Sequence, residues 1–194
     1  MIKYPNKKPL YNLEKISTKN RGMTFESLID ETNQFYLHQN IAVIYKKPTP
    51  IQIVNVDYPR RSGAKIIEAY YKTPSTTDYN GIYQGHYIDF DVKESRSKTA
   101  FPLSNIHSHQ IEHLKRVHNH GGIAFILVYF KLHDEVYYLS YLELEKYVER
   151  AIKGRKSIAY DELKENGLCI PLSYRPTIPY LKAVDQVLKK DKSQ

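Results

Sequence analysis

Eight consecutive residues, Ile123-Ala124-Phe125-Ile126-Leu127-Val128-Tyr129-Phe130, carry no charge and almost no polar atom. In an extended chain alternate side chains point to opposite sides, so this run has no face to give to water. It is far short of a membrane span, and no apolar run elsewhere approaches the roughly 18–20 residues that a span requires. The run therefore predicts a strand at the centre of a sheet covered on both faces. Helices are needed to cover it, and the sequence offers several. From Thr24 to about Gln39, Phe25, Leu28, Ile29, Thr32 and Phe35/Tyr36 recur at helical spacing, and Thr24 can cap the start. Ile106 to Asn119 repeats the pattern with Ile106, Ile111, Leu114 and Val117, and Gly121-Gly122 end it. Further helices are expected at about 141–153 and 178–190, separated by an irregular stretch containing Pro171, Pro176 and Pro179.

Other strands are expected at Ile41–Tyr45, Ile51–Tyr58, His86–Lys93 and Val136–Ser140. Asn80-Gly81 and Gln84-Gly85 read as turn signals. Residues 59–77, broken by Pro59, Gly63 and Pro74, read as a basic, aromatic excursion from the core. The order of elements predicts an α/β fold with a mixed central sheet flanked by helices. At 194 residues the chain suits one domain with a sizeable core.

The chain has 29 Lys and Arg against 21 Asp and Glu, a net charge of +8. Such a bias points to an anionic partner, and nucleic acid is the commonest one. An anionic membrane surface competes, but no strongly amphipathic basic helix with an aromatic anchor face is evident. Lys3, Lys7, Lys8, Lys15, Lys19 and Arg21 face a single acid, Glu14, so residues 1–20 read as a flexible basic arm. A second basic stretch runs through Lys46, Lys47, Arg60, Arg61, Lys65 and Lys72, interleaved with Tyr58, Tyr70 and Tyr71. Cations reach phosphates and rings stack on bases, so this mixture suits nucleic acid. The N-terminal charge is followed by no apolar segment, unlike a secretory signal. The one cysteine, Cys169, can form neither an internal disulfide nor a cysteine-based zinc cage, so a cytoplasmic location is the default. Set among Gly167, Leu168, Ile170 and Pro171, its thiol is expected to be buried and inert.

Strand alternation places Asp89, Asp91 and Lys93 on one face. Two acids and a lysine on a half-buried face are costly unless something pairs them. An exposed edge strand with an ion pair fits the spacing. So does Mg²⁺, which takes one or two carboxylates and completes its shell with water and phosphate oxygens. In that reading Asp78 and Asp91 hold the ion, which activates a water, and Lys93 steadies the hydroxide or the pentacovalent phosphate. His109 and His113 have a zinc-compatible i, i+4 spacing, without the usual glutamate or an evident third ligand. Glu26, an acid in the first turn of the first helix, is a further candidate to approach the metal, and Asp89 is another.

The pattern Asp78…Asp91-Val92-Lys93 resembles the PD-(D/E)xK nuclease motif. The flanking words resemble the RecU family of Holliday junction resolvases from Gram-positive bacteria and some of their phages. Those words are Asn20-Arg21-Gly22-Met23, Ala42-Val43-Ile44, Lys46-Lys47-Pro48-Thr49-Pro50-Ile51-Gln52-Ile53-Val54 and Val56-Asp57-Tyr58-Pro59. They continue with Pro74-Ser75-Thr76-Thr77-Asp78-Tyr79-Asn80-Gly81, Tyr87-Ile88-Asp89-Phe90, Phe101-Pro102-Leu103 and His109-Gln110-Ile111-Glu112-His113. The resemblance implies a restriction-endonuclease-like core over residues 21–194, with a protruding stalk at about 55–77. It implies a homodimer that cuts opposing strands of a four-way DNA junction with Mg²⁺, for which Mn²⁺ can substitute, and recombinase or branch-migration proteins as partners. Matched by motif, the metal site falls on Thr76, Asp78, Asp91 and Gln110, with Lys93 stabilising the transition state, and Arg61 and Tyr71 fall in the stalk. The family's usual residue at position 91 is Glu. The shorter Asp91 keeps open a second reading, a junction-binding or recombinase-modulating protein with little cleavage. A relative that cuts ordinary duplex is a third.

Overall fold

The run that demands two covering layers receives them. In the computed structural model, which describes residues 23–58, 60, 63–72 and 76–191, Ile123–Phe130 forms β7. Before it come α1 (Phe25–His38), β1 (Val43–Lys46), β2 (Ile51–Asp57), β3 (Lys65–Tyr71), β4 (Tyr79–Tyr83), β5 (His86–Ser95), β6 (Ala100–Pro102) and α2 (Ser108–Asn119). After it come β8 (Glu135–Ser140), α3 (Tyr141–Lys153), β9 (Ser157–Ala159), α4 (Tyr160–Asn166), β10 (Leu168–Ile170) and α5 (Leu181–Asp191). Arg61 and the basic arm of residues 1–20 lie outside the described residues.

The main sheet has the order β1-β4-β5-β7-β8-β10. β7 pairs parallel with β5 and antiparallel with β8. A parallel pair needs a crossover, and β6 with α2 supplies it. Alternation then sorts the side chains into two cores. Ile88, Phe90 and Val92 of β5 join Phe125 and Leu127 of β7 on the face covered by α1 and α5. Ala124, Ile126, Val128 and Phe130 face α2 and α3 on the other side. Phe90 is held between the rings of Tyr79 and Phe125, with centroids 5.0 and 4.7 Å away and nearly parallel planes. That stack fixes the strand on which Asp89 and Asp91 sit on either side of Phe90.

The helix starts follow the capping logic. Thr24 Oγ1 accepts from the Ser27 amide at 3.1 Å, and Ser140 Oγ accepts from Glu143 at 3.3 Å. At α2 the N3 residue Gln110 turns back, and its Oε1 accepts the His107 amide at 3.1 Å.

Four expectations change. Asn80-Gly81 is no turn but the middle of β4, and the hairpin turn is Gln84-Gly85, both with positive φ as a two-residue type I′ connection requires. The excursion takes in Ile51–Asp57, which pairs with β3 in a separate two-stranded sheet around an irregularity near Val54. The stretch between the last two long helices contains α4 and two short strands. Cys169 is exposed, because β10 is an edge strand and alternation turns Ile170 inward and Cys169 out.

Gly81 is needed for close approach of β1. A Cβ there would lie 2.1 Å from the Val43 carbonyl oxygen and 2.6 Å from Ile44 Cα. Gly81→Ala is therefore expected to destabilise the fold by at least the ~1–3 kcal/mol of ordinary overpacking, because backbone rather than a flexible side chain must move. Urea unfolding of the two proteins checks this, and an unchanged midpoint would contradict the close packing of β1 on β4.

Candidate active site

Three segments meet beneath the N-terminus of α2: the residues entering β4, the middle of β5, and the first turn of α2 itself. Where the α2-facing side of the sheet passes from β7 to β5, its side chains change character. Asp89, Asp91 and Lys93 pair in parallel register with Ala124, Ile126 and Val128. Asp91 is fully buried. Its carboxylate accepts from Lys93 Nζ at 2.5 Å and from the Gln110 side-chain amide. Asp78, half-buried in the approach to β4, lies against it. Burial pushes the Asp91 carboxyl up to about 7, the Lys93 ammonium opposes that rise, and the like charge of Asp78 adds to it.

This is an electrostatic arrangement that a cation completes. Two carboxylates in contact cannot both ionise cheaply, and one lysine does not neutralise both. Among the described residues no group of three or more His, Cys, Asp and Glu is placed to hold a metal. Two neighbouring acids suit Mg²⁺, which takes one or two carboxylates and retains several waters. The Gln110 amide has its nitrogen toward Asp91 here and its oxygen on the His107 amide.

Asp89 lies two residues away on the same face and has different surroundings. It meets Thr77, Tyr87, Lys47 and His113. Lys47, expected at a DNA phosphate, is turned inward: its Nζ is 2.8 Å from Asp89 Oδ2 and its side chain is largely buried. The reason is register, since Lys46 and Lys47 project to opposite faces of the sheet. Lys46 takes the α1 side, 2.8 Å from Glu26 and 3.8 Å from Asp30. Glu26 is thereby tied to a lysine rather than directed at Asp91. Thr76 is half-buried and donates to the Thr77 carbonyl at 3.3 Å. His113 points to Asp89 and so does not join His109 in a metal pair. Arg60, Tyr71 and Lys72 are exposed on or beside the β2–β3 hairpin, Tyr71 to 84%. Thr77 and the partnership of Lys47 with Asp89 were missed by sequence reasoning. The signal available for them was the register that also placed Asp89 beside Asp91.

A mixed α/β sheet here buries an acid beside a second acid, a lysine and a glutamine, the residue types of an acid–acid–lysine site. The comparisons narrow that class. The family model for RecU, "Recombination protein U", matches residues 20–186. The chain is 51% identical over 201 residues to the Holliday junction resolvase RecU of Staphylococcus epidermidis, with 96% of each chain covered. It is 50% identical over 200 residues to the same-named protein of Staphylococcus aureus, again with 96% of each covered. A solved structure of the Archaeoglobus fulgidus Holliday junction resolvase Hjc aligns with 74% of this chain and 89% of that one, at 11% identity and a TM-score of 0.42. The chain belongs to the RecU family.

Binding of a divalent ion between Asp78 and Asp91 would have to displace the proton that Asp91 holds below its raised pKa. Affinity for Mn²⁺ is therefore expected to climb by up to about tenfold per pH unit below neutrality and to level off above it. In the apoprotein the sign is the reverse: the raised carboxyl favours folding at low pH, and that contribution fades as pH rises through about 7. Calorimetric titration of Mn²⁺ across this range checks the first effect, and a pH-independent affinity would contradict it.

Proposed function

We propose that this chain is a Holliday junction resolvase: an endonuclease that cuts four-way DNA junctions by phosphodiester hydrolysis with Mg²⁺ or Mn²⁺. The observation that carries the reading is the convergence of Asp78, Asp91, Lys93 and Gln110 from three separate segments onto one buried spot. The names of the staphylococcal relatives and the match over nearly the whole chain support four-way DNA junctions as the substrate. Asp91 and Asp78 would hold the ion, Gln110 would turn its amide to offer the oxygen that here accepts from His107, and Thr76 belongs to the same segment as Asp78. When bound, the ion supplies Lewis-acid stabilisation and lowers the pKa of a coordinated water. Lys93 places its ammonium where negative charge grows on the phosphate, and the buried site strengthens that interaction. In the reaction a water oxygen bonds to phosphorus, a bridging P–O bond breaks, and the strand is left with a hydroxyl and a phosphate. Although shorter than glutamate, the Asp91 side chain still meets both Lys93 and Gln110, which supports cleavage over binding alone.

The β2–β3 hairpin supports recognition of a branched substrate. It exposes Ile51, Ile53, Val54, Ile66, Ile67, Tyr70 and Tyr71. Two strands alone are marginal in water, and exposed apolar surface of this kind marks a contact. Lys65, Lys72 and Arg60 supply charge for phosphate beside rings able to stack on unpaired bases. A homodimer fits the same picture, because Val43, Ile82 and Tyr87 form an exposed apolar row across β1, β4 and β5. Among the described residues no helix is long and apolar enough to cross a membrane. We place the protein in the cytoplasm with its DNA substrate.

Cleavage of a mobile four-way junction tests the reading against linear duplex of the same sequence. The parent chain is expected to cut the junction preferentially. Asp78→Ala is expected to bind the junction while losing cleavage by about 100-fold or more. Equal cutting by the two proteins would sink the enzyme reading, and equal cutting of the two substrates would sink the junction selectivity.

A further inference from the structure

The buried carboxylate beside the site, Asp89, has no role in the chemistry above, yet it is as inaccessible as Asp91. Its oxygens accept from the Thr77 hydroxyl, from Tyr87 Oη at 2.8 Å and from Lys47 Nζ at 2.8 Å, and lie 3.1 Å from His113 Nε2. A carboxylate offers about four lone-pair sites, so Asp89 is saturated by protein. Asp91 instead meets one cation, one amide and a second carboxylate. The two aspartates share a strand face and a degree of burial, but only Asp91 is left with a demand for a further cation. Asp89, already engaged by four protein groups, is left out of the ligand set proposed above.

We propose that Asp89 and Lys47 form a positioning cluster that holds the three ligand-bearing segments in register, so that Asp78, Asp91 and Gln110 reach one ion together. The proposal rests on the metal-dependent reading above. Each ligand segment sends one neighbour into the cluster. Thr77 adjoins Asp78, Asp89 lies two residues before Asp91 on the same strand face, and His113 lies one helical turn after Gln110. Lys47 binds all three: its Nζ is 2.9 Å from Thr77 Oγ1, 2.8 Å from Asp89 Oδ2 and 3.4 Å from His113 Nε2. Its backbone amide donates to the Asp78 carbonyl at 2.7 Å, so it grips the ligand segment by main chain as well. Lys47 also immediately follows β1 and precedes the hairpin strand that begins at Ile51. The cluster thus ties the end of β1 to the strand that carries Asp91. Removing one member leaves the others buried and unpaired, and the segments they hold lose their common reference.

The test measures Mn²⁺ affinity, junction affinity without divalent metal, and cleavage, on the full chain. Asp89→Asn is expected to weaken Mn²⁺ binding and lower kcat, each by about 10–100-fold, the range typical for groups that orient metal ligands. Junction affinity and KM stay near the parent values, because no cluster atom is assigned to DNA. Lys47→Arg retains more cleavage than Lys47→Met. Should Asp89→Asn fail to fold, Thr77→Val removes one donor at similar volume and is expected to move the same quantities in the same direction. A folded variant that binds Mn²⁺ and cuts like the parent overturns the proposal, as does a loss confined to junction affinity. A parent chain that neither binds Mn²⁺ nor cuts overturns the metal-dependent reading as well, so the two failures are distinguishable.

Discussion

The structure depends on one constraint: β5 carries carboxylates on a face that the sheet buries. Asp89 and Asp91 are fully inaccessible beneath α2, flanked by the apolar side chains of β7. Burying even one unpaired carboxylate is prohibitive, so the surrounding elements must deliver counter-charges and donors to it. That requirement explains features that would otherwise look unrelated. Gly81 lets β1 lie close against β4, and the end of β1 brings Lys47 to Asp89. The capping glutamine of α2 is also the residue that reaches Asp91. On the opposite face the Tyr79–Phe90–Phe125 stack holds β5 in the apolar core.

Much of the scaffold was legible because its signals are local. Apolar continuity over Ile123–Phe130, the Thr24 cap and the alternation through His86–Lys93 each reflect rules that act within a few residues. What was not legible depends on partners distant in sequence. Asn80-Gly81 has turn composition, and only the approach of β1 shows that the glycine serves packing instead. Cys169 sits in apolar company, but its exposure follows from β10 being the last strand of the sheet. Lys46-Lys47 reads as a basic patch, yet strand geometry sends the pair to opposite faces, one to Glu26 and one to Asp89. The acids and lysine of the site were visible by spacing. Their convergence with Gln110, a residue nineteen positions from Asp91, required the crossover through α2.

Family membership and geometry bear on different parts of the account. Membership in the RecU family and the names of the staphylococcal relatives support the proposal of a branched DNA substrate. The geometry bears on the proposed chemistry: Asp78 and Asp91 lie together with one lysine, Lys93, on Asp91, and the hairpin exposes rings and cations that suit the proposed junction. The two meet at Lys47, which belongs to the segment leading into the hairpin and touches Asp89 on the strand that carries Asp91.

The central claim is that Asp78 and Asp91 share one divalent ion. A crystal structure with Mn²⁺, read by anomalous scattering, measures it directly. The account predicts one peak bonded to an oxygen of each of these carboxylates, with Asp89 still held by Lys47. A peak on Asp89, or an ion that engages neither Asp78 nor Asp91, would contradict it.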